Sequence, residues 1–280
     1  MTTARPSIAD KRRHFHQLHD SGCFVIPNPW DVGSALYLQS LGFKALASTS
    51  SGCAWSQGRP DGGLPREAVL AHLHAMVAAT DVPINADFEN GFARDAAGVA
   101  ESVRLAVESG VAGLSIEGST GDASRPLFDL DSAVERLRAA RRAIDHAGGD
   151  TLLVGRAECF LVGRPDIDET IARLKAYAQA GADCLYAPGL ARREDIAAAV
   201  AAVAPKPFNL LVYAPGGLSF AEIAALGVRR VSVGGALARS AWGGFMRAAQ
   251  ALAHDASFAG FADAASGQQL NALFGHAAPA

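Results

Sequence analysis

The chain has 280 residues, half of them hydrophobic and 19% charged, with a formal net charge of −3. This composition provides for a large buried core, excludes disorder and leaves no basic footprint for nucleic acid. A small anionic substrate would therefore meet positive charge only locally, from a metal ion or a few arginines.

The four cysteines, Cys23, Cys53, Cys159 and Cys184, are widely spaced with no CxxC pair. That speaks against a disulfide framework or a zinc site and fits a reducing cytoplasm. Cys53 and Cys159 read as small apolar fillers. The polar start of the chain has no apolar signal-peptide core, and no apolar stretch is long enough to read as a membrane span.

A polar helix is predicted from Ser7 to Asp20, capped by Ser7. Its His14, His16 and His19 are expected to face solvent. Beyond it one pattern recurs: a short β-prone apolar run ends in small or polar residues, and an Ala- and Leu-rich helical stretch follows. The runs are Cys23–Pro27, Lys44–Ser48, Val82–Asp87, Gly113–Glu117, Leu152–Arg156, Asp183–Ala187, Phe208–Val212 and Arg229–Val233, eight in all. Short apolar runs suit strands buried on both faces. Helices are predicted over Arg66–Thr80, Asp95–Ser109, Ser132–His146, Ile167–Ala180 and Glu194–Val203, with apolar residues at i, i+3, i+4. Gly110, Gly181 and Gly227 stand where a helix C-cap needs a left-handed residue.

Alternating β and α units with right-handed crossovers make a parallel sheet. Eight of them favour an α/β fold closed as a (β/α)₈ TIM barrel over an open doubly wound sheet. No G-x-G-x-x-G follows the first run and no P-loop is present. The chain reads as a single domain over residues 1–280, with the barrel over about 23–253 and a helical tail over 254–280 that includes a predicted helix at Ser266–Phe274.

In such a barrel the active site lies at the C-terminal ends of the strands. Asp87, Glu89, Glu117, Arg156 and Glu158 fall there, Asn209 lies on the seventh strand, and Asp61 lies in the long loop after the second. Asp87, Glu89, Glu117 and Glu158 would repel one another unless a cation or protons joined them. Oxygen ligands without a His or Cys set suit Mg²⁺ or Mn²⁺ rather than zinc. Period-two spacing is expected to put Asp87 and Glu89 on one side of an extended segment, with Phe88 opposite. Arg156 can take a substrate carboxylate bidentately, or simply pair with Glu158. Thr49, Ser50 and Ser51 form a loop that could offer N–H groups to a second anionic group, or be turn residues only. Gly234-Gly235 reads as a close turn rather than a phosphate site.

These segments resemble the isocitrate lyase / phosphoenolpyruvate mutase superfamily. The likeness runs from Asn28-Pro-Trp-Asp31 to Val231-Ser-Val-Gly234 and is carried by "GSALYLQSLGFKALASTSSGCAWSQGRPDG", "PINADFENGF", "GVAGLSIEG", "GRAECFLVG" and "PFNLLV". It implies a barrel whose C-terminal helix is exchanged between subunits of a homodimer or homotetramer. It implies Mg²⁺ held partly through water by Asp61, Asp87, Glu89 and Glu117, with Thr49–Ser51 and Arg156 on the substrate's anionic ends and Glu158 and Asn209 close by. The implied chemistry runs through the enolate of an α-oxo acid, whose oxyanion a metal and an arginine stabilise.

One departure shapes the expected reaction. The lyase branch carries a Lys-Lys/Arg-Cys-Gly-His loop after the fourth strand, and the mutase branch a Lys. Here the loop is Gly118-Ser-Thr-Gly-Asp-Ala-Ser-Arg-Pro126. Gly118 also replaces an outer carboxylate. Decarboxylation of an oxaloacetate-like acid needs enolate stabilisation but no Cys acid, so it fits the departure best. The leading expectation is a Mg²⁺-dependent carbon–carbon lyase or decarboxylase acting on a small α-oxo or 2-hydroxy di- or tricarboxylate. A phosphorus–carbon enzyme (a phosphoenolpyruvate mutase or phosphonopyruvate hydrolase) and a non-catalytic carboxylate-binding barrel are the alternatives.

Overall fold

The computed structural model describes residues 5–275. The extremities of the predicted domain and tail, residues 1–4 and 276–280, lie outside the described residues. Eight strands, β1 (Phe24–Ile26), β2 (Leu46–Ala47), β3 (Ile84–Asp87), β4 (Gly113–Glu117), β5 (Leu152–Arg156), β6 (Cys184–Tyr186), β7 (Phe208–Leu211) and β8 (Arg230–Ser232), form one parallel sheet. Its order is β1-β8-β7-β6-β5-β4-β3-β2. The two outermost strands in that order meet where Ala47 N–H donates to Pro27 O at 3.0 Å, which closes the barrel.

Around it run α1 (Ile8–Asp20), α2 (Val32–Ser40), α3 (Ser50–Ser56), α4 (Arg66–Ala79), α5 (Ala96–Glu108), α6 (Leu130–His146), α7 (Ile167–Gln179), α8 (Arg193–Val203), α9 (Phe220–Ala225), α10 (Ala236–Asp255) and α11 (Gly267–Phe274). None of the described helices is long and apolar enough to cross a membrane.

Side-chain alternation along the strands divides the core in two. Leu114, Ile116, Leu153, Leu185, Phe208, Leu210 and Val231 point outward into the layer between sheet and helices. Ile26, Ala47, Leu152, Val154 and Cys184 point into the barrel, where Phe15 of α1 plugs the lower end. Gly113 makes room for that plug: a Cβ there would stand 2.7 Å from the Phe15 ring. Lys11 ties α1 down by donating from Nζ to Val77 O at 3.0 Å and to Thr80 O.

Ser7 caps α1 in a capping box with Asp10, as its sequence predicts. Two expectations need correction. His19 does not face solvent; it is buried edge-on to Phe15 and Phe24, because α1 lies across the bottom of the barrel instead of along its outside. The Thr49–Ser51 stretch is not a loop: Thr49 is the N-cap of α3, its Oγ1 accepting from Gly52 N–H at 3.3 Å. At the other end of the chain, α11 rests on α2 of its own chain, with the Phe274 ring 3.5 Å from where a Gly33 Cβ would stand.

Candidate active site

The same alternation builds the site. From β3, β4, β5, β7 and β8 the polar inward residues are Asn85 and Asp87, Ser115 and Glu117, Arg156, Asn209, and Arg230 and Ser232. In place of bulky filler the upper barrel holds small and polar groups, and a cavity of about 170 Å³ opens among them.

Arg156 organises its mouth. Nη1 donates to Asp87 Oδ1 at 3.0 Å and faces Glu117 Oε2 at 3.1 Å, and Nε donates to Glu158 Oε1. Its cation stands 5.3 Å from the centroid of the Tyr186 ring. Burial alone would lower the pKa of the guanidinium, but Glu158, Glu117 and Asp87 outweigh it and hold that pKa well above the usual value. The Arg156–Glu158 pairing thus exists and is one arm of a four-residue cluster. Asp87 Oδ2 also accepts from Ser50 N–H at 3.0 Å, so the start of α3 does present a backbone donor to an anionic group, here a protein carboxylate.

Glu89 is held differently from the expectation. β3 ends at Asp87, and Glu89 takes a left-handed conformation at φ 47°. Phe88 does point away, fully buried and edge-on to Phe92. The turn around this anchor, rather than a period-two extension, carries Glu89 back toward Asp87. Burial and then the negative charges of Asp87 and Asp61 push its pKa up to about 7. Glu117 and Glu158 are raised by burial despite the arginine. Asp61, at the rim, is raised by partial burial and by Asp87.

Asp61, Asp87, Arg156, Asn209 and Thr49–Ser51 all border the cavity, whereas Glu89, Glu117 and Glu158 are not part of its lining. Asn209 is fully buried, and both ends of its amide are engaged. Nδ2 donates to Ser232 Oγ at 2.9 Å, and Oδ1 accepts from Arg230 Nε at 2.8 Å. It therefore positions its neighbours.

Sequence reasoning missed Asn28, Tyr186 and Arg230, which line the same cavity. Asn28 ties three strand ends together, donating to Ser48 O and accepting from the N–H groups of Val233 and Gly234, each at 2.9 Å. Gly234 is thus a structural turn, at φ 53°. Gly235 lies so close to Ser51 that a Cβ would come within 2.8 Å of its Oγ. Stepping back two residues from Asp87 and Glu117 gives Asn85 and Ser115, and the same alternation in β8 pairs Ser232 with Arg230.

The loop over 118–126 is bound to itself. Thr120 N–H donates to Pro126 O at 3.0 Å, and Asp122 Oδ1 accepts from Ser124 N–H at 2.8 Å. A side chain at Gly118 would crowd Tyr177, since its Cβ would stand 2.6 Å from the hydroxyl.

Among the described residues no three acidic, His or Cys side chains form a ready-made metal cage. The donor set nevertheless fits a hard divalent cation bound partly through water. Five carboxylates (Asp61, Asp87, Glu89, Glu117 and Glu158) face one arginine, and the pKa values of four of them are raised.

Residues 15–253 match the model of the family described as phosphoenolpyruvate phosphomutase. A Burkholderia cenocepacia J2315 crystal structure, provisionally assigned as a lyase/mutase, is 47% identical over 96% of this chain and 97% of its own, with a TM-score of 0.92. An uncharacterized Mycobacterium tuberculosis protein is 33% identical over 79% of this chain and 81% of its own length. An oxaloacetate decarboxylase of Paraburkholderia xenovorans is 30% identical over 66% of this chain and 64% of its own.

Proposed function

The chain belongs to the phosphoenolpyruvate phosphomutase family, within the isocitrate lyase / phosphoenolpyruvate mutase superfamily, and from that premise we propose a Mg²⁺-dependent carbon–carbon lyase or decarboxylase acting on a small α-oxo or 2-hydroxy di- or tricarboxylate. The observation that carries this reading is a complete Asp87–Glu117–Glu158–Arg156 cluster beside a 118–126 loop with no Cys, Lys or His. Such a site can stabilise an enolate but has no loop acid to complete the lyase branch's protonation.

In this reading Asp61, Asp87, Glu89 and Glu117 hold Mg²⁺ or Mn²⁺, which when bound supplies Lewis-acid stabilisation of the developing oxyanion. Arg156, locked by Glu158 behind it, orients a substrate carboxylate and adds positive charge. Ser50 N–H fixes the Asp87 carboxylate. Tyr186 keeps its hydroxyl proton, with a pKa pushed by burial up to about 12, and is the cavity-lining acid that can return a proton to the enolate carbon. The assembly is a homodimer or homotetramer. Its proposed contact surface is the C-terminal apolar face, where Phe245, Phe258 and Phe261 are at least half exposed.

The test is turnover followed by NMR, with Mg²⁺ and with EDTA, on oxaloacetate, methylisocitrate, isocitrate, phosphonopyruvate and 2-hydroxy diacids. Metal-dependent release of pyruvate or another oxo acid supports the proposal. Phosphate release from phosphonopyruvate would transfer the site to phosphorus–carbon chemistry. Asp87→Ala should lower turnover about 10²–10³-fold, the scale of losing a principal electrostatic element, while circular dichroism stays native. Unchanged turnover in that variant would remove the metal reading.

A further inference from the structure

Arg230 is the first residue of β8 and points into the barrel. It is 3% exposed. Its Nε donates to Asn209 Oδ1 at 2.8 Å, and its Nη1 donates to Asn85 Oδ1 at 3.2 Å. Nη1 also lies 3.4 Å from His19 Nε2. That histidine is neutral, since burial and then the charge of Arg230 lower its pKa to about 3; its Nδ1 lies 2.7 Å from Phe15 O, a carbonyl that can only accept, so Nδ1 carries the hydrogen and Nε2 the lone pair. All three partners of the guanidinium are uncharged. Among the described residues no carboxylate pairs with Arg230, and its Nη2 makes no hydrogen bond.

A guanidinium does not surrender its proton in a protein. Buried without a counter-ion, it carries a desolvation cost that neutral acceptors offset only in part. Arg230 lines the same cavity as Asp87 and Arg156. Arg156, at the mouth, already has three carboxylates. The cavity therefore has an anionic, metal-suited mouth and a cationic floor with two unused donors.

We propose that Arg230 binds an anionic group of the substrate at the cavity floor, the distal carboxylate of a diacid whose reacting end lies at Asp87 and Arg156, and so selects diacids over monoacids. The assignment of the reacting end rests on the function proposed above; the floor site rests on Arg230 itself. Asn209 is a positioning residue for it, because its Oδ1 fixes Nε and turns the remaining donors toward the cavity.

Isothermal titration of the full-length, Mg²⁺-loaded protein with two matched pairs, malonate against propionate and succinate against butyrate, tests the proposal. At least one diacid should bind tenfold or more tightly than its monoacid. Arg230→Met should abolish that preference, and Arg230→Lys should keep part of it. Asn209→Asp supplies a built-in carboxylate and should abolish the preference while leaving or raising the melting temperature. A folded Arg230→Met that keeps the preference overturns the proposal. If that variant does not fold, a preference retained by Asn209→Asp overturns it equally, as does its absence from the wild type. Diacid selection without any carbon–carbon cleavage would sink the proposed reaction and leave Arg230 standing. Cleavage with kcat and KM unchanged in Arg230→Met would do the reverse.

Discussion

Two arginines on the inner face of the barrel, one half-buried and one buried, have opposite surroundings. At the mouth Arg156 meets Asp87, Glu117 and Glu158. At the floor Arg230 meets Asn209, Asn85 and a neutral His19. The first is over-compensated and calls for a further cation; the second is uncompensated and calls for an anion. A substrate carrying negative charge at both ends, one end shared with a metal ion, answers both. The polarity of the cavity thus follows from which strand residues the pleat turns inward.

Removal of each arginine sharpens this contrast. Arg156→Met strands three carboxylates whose side chains are 19%, 15% and 5% exposed. Breaking a buried ion cluster by deleting one partner costs about 3–5 kcal/mol. Urea denaturation of the metal-free protein should show a loss of that size, and added Mg²⁺ should restore part of it. Arg230→Met leaves only neutral acceptors behind and should cost less. If Arg230→Met proves the more damaging, the two surroundings do not differ in the way the contacts indicate.

The sequence makes the mouth legible and hides the floor. Glu117 and Arg156 end strands whose predicted limits, Gly113–Glu117 and Leu152–Arg156, are the observed ones. Unbroken apolar runs bounded by charge define such limits well. Arg229 and Arg230 both fall inside the predicted run Arg229–Val233, and nothing in an arginine pair at the start of a strand says which of the two faces the barrel. Only the register with Asn209 and Phe24 shows which of the two points inward. His19 is hidden for a related reason: the polar residues of α1 suggest solvent, but the helix crosses the barrel bottom and buries the face that carries Lys11, Phe15 and His19. Glu89 was visible as a residue and misread in conformation, since a left-handed non-glycine has no sequence signature as clear as a glycine's.

The loop beside the mouth offers a smaller effect. A Cβ at Gly118 would stand 2.6 Å from the Tyr177 hydroxyl, an oxygen without a hydrogen-bond partner among the described residues. Gly118→Ala should cost about 1–3 kcal/mol, the usual range for overpacking. Tyr177→Phe alone should be nearly neutral. Combined with Gly118→Ala it should recover most of the loss, because it removes the clashing atom. A double variant no better than Gly118→Ala would mean that this hydroxyl is not what keeps residue 118 small.

A pH dependence separates floor from mouth. Burial, followed by the charge of Arg230, lowers the His19 pKa from 6.5 to about 3, with His16 and Arg229 adding less. Between those values the unfolded chain binds a proton at this position and the folded chain does not. The stability contributed is therefore complete above about pH 6.5 and is lost as pH falls toward 3, by about 1.4 kcal/mol per pH unit inside the window. Glu89 has the opposite sign: its pKa is raised to about 7, so its contribution is present below its ordinary value of 4.5 and is lost as pH rises through 7. Total stability mixes the two, and the difference between wild type and His19→Gln isolates the floor. Glutamine keeps an acceptor for Arg230 and cannot titrate. Melting temperatures from pH 4 to 7.5 should fall more steeply toward acid in the wild type than in His19→Gln. Parallel curves would mean that His19 takes up its proton in the folded state, next to a guanidinium, and the floor would then be more open to water than its contacts indicate.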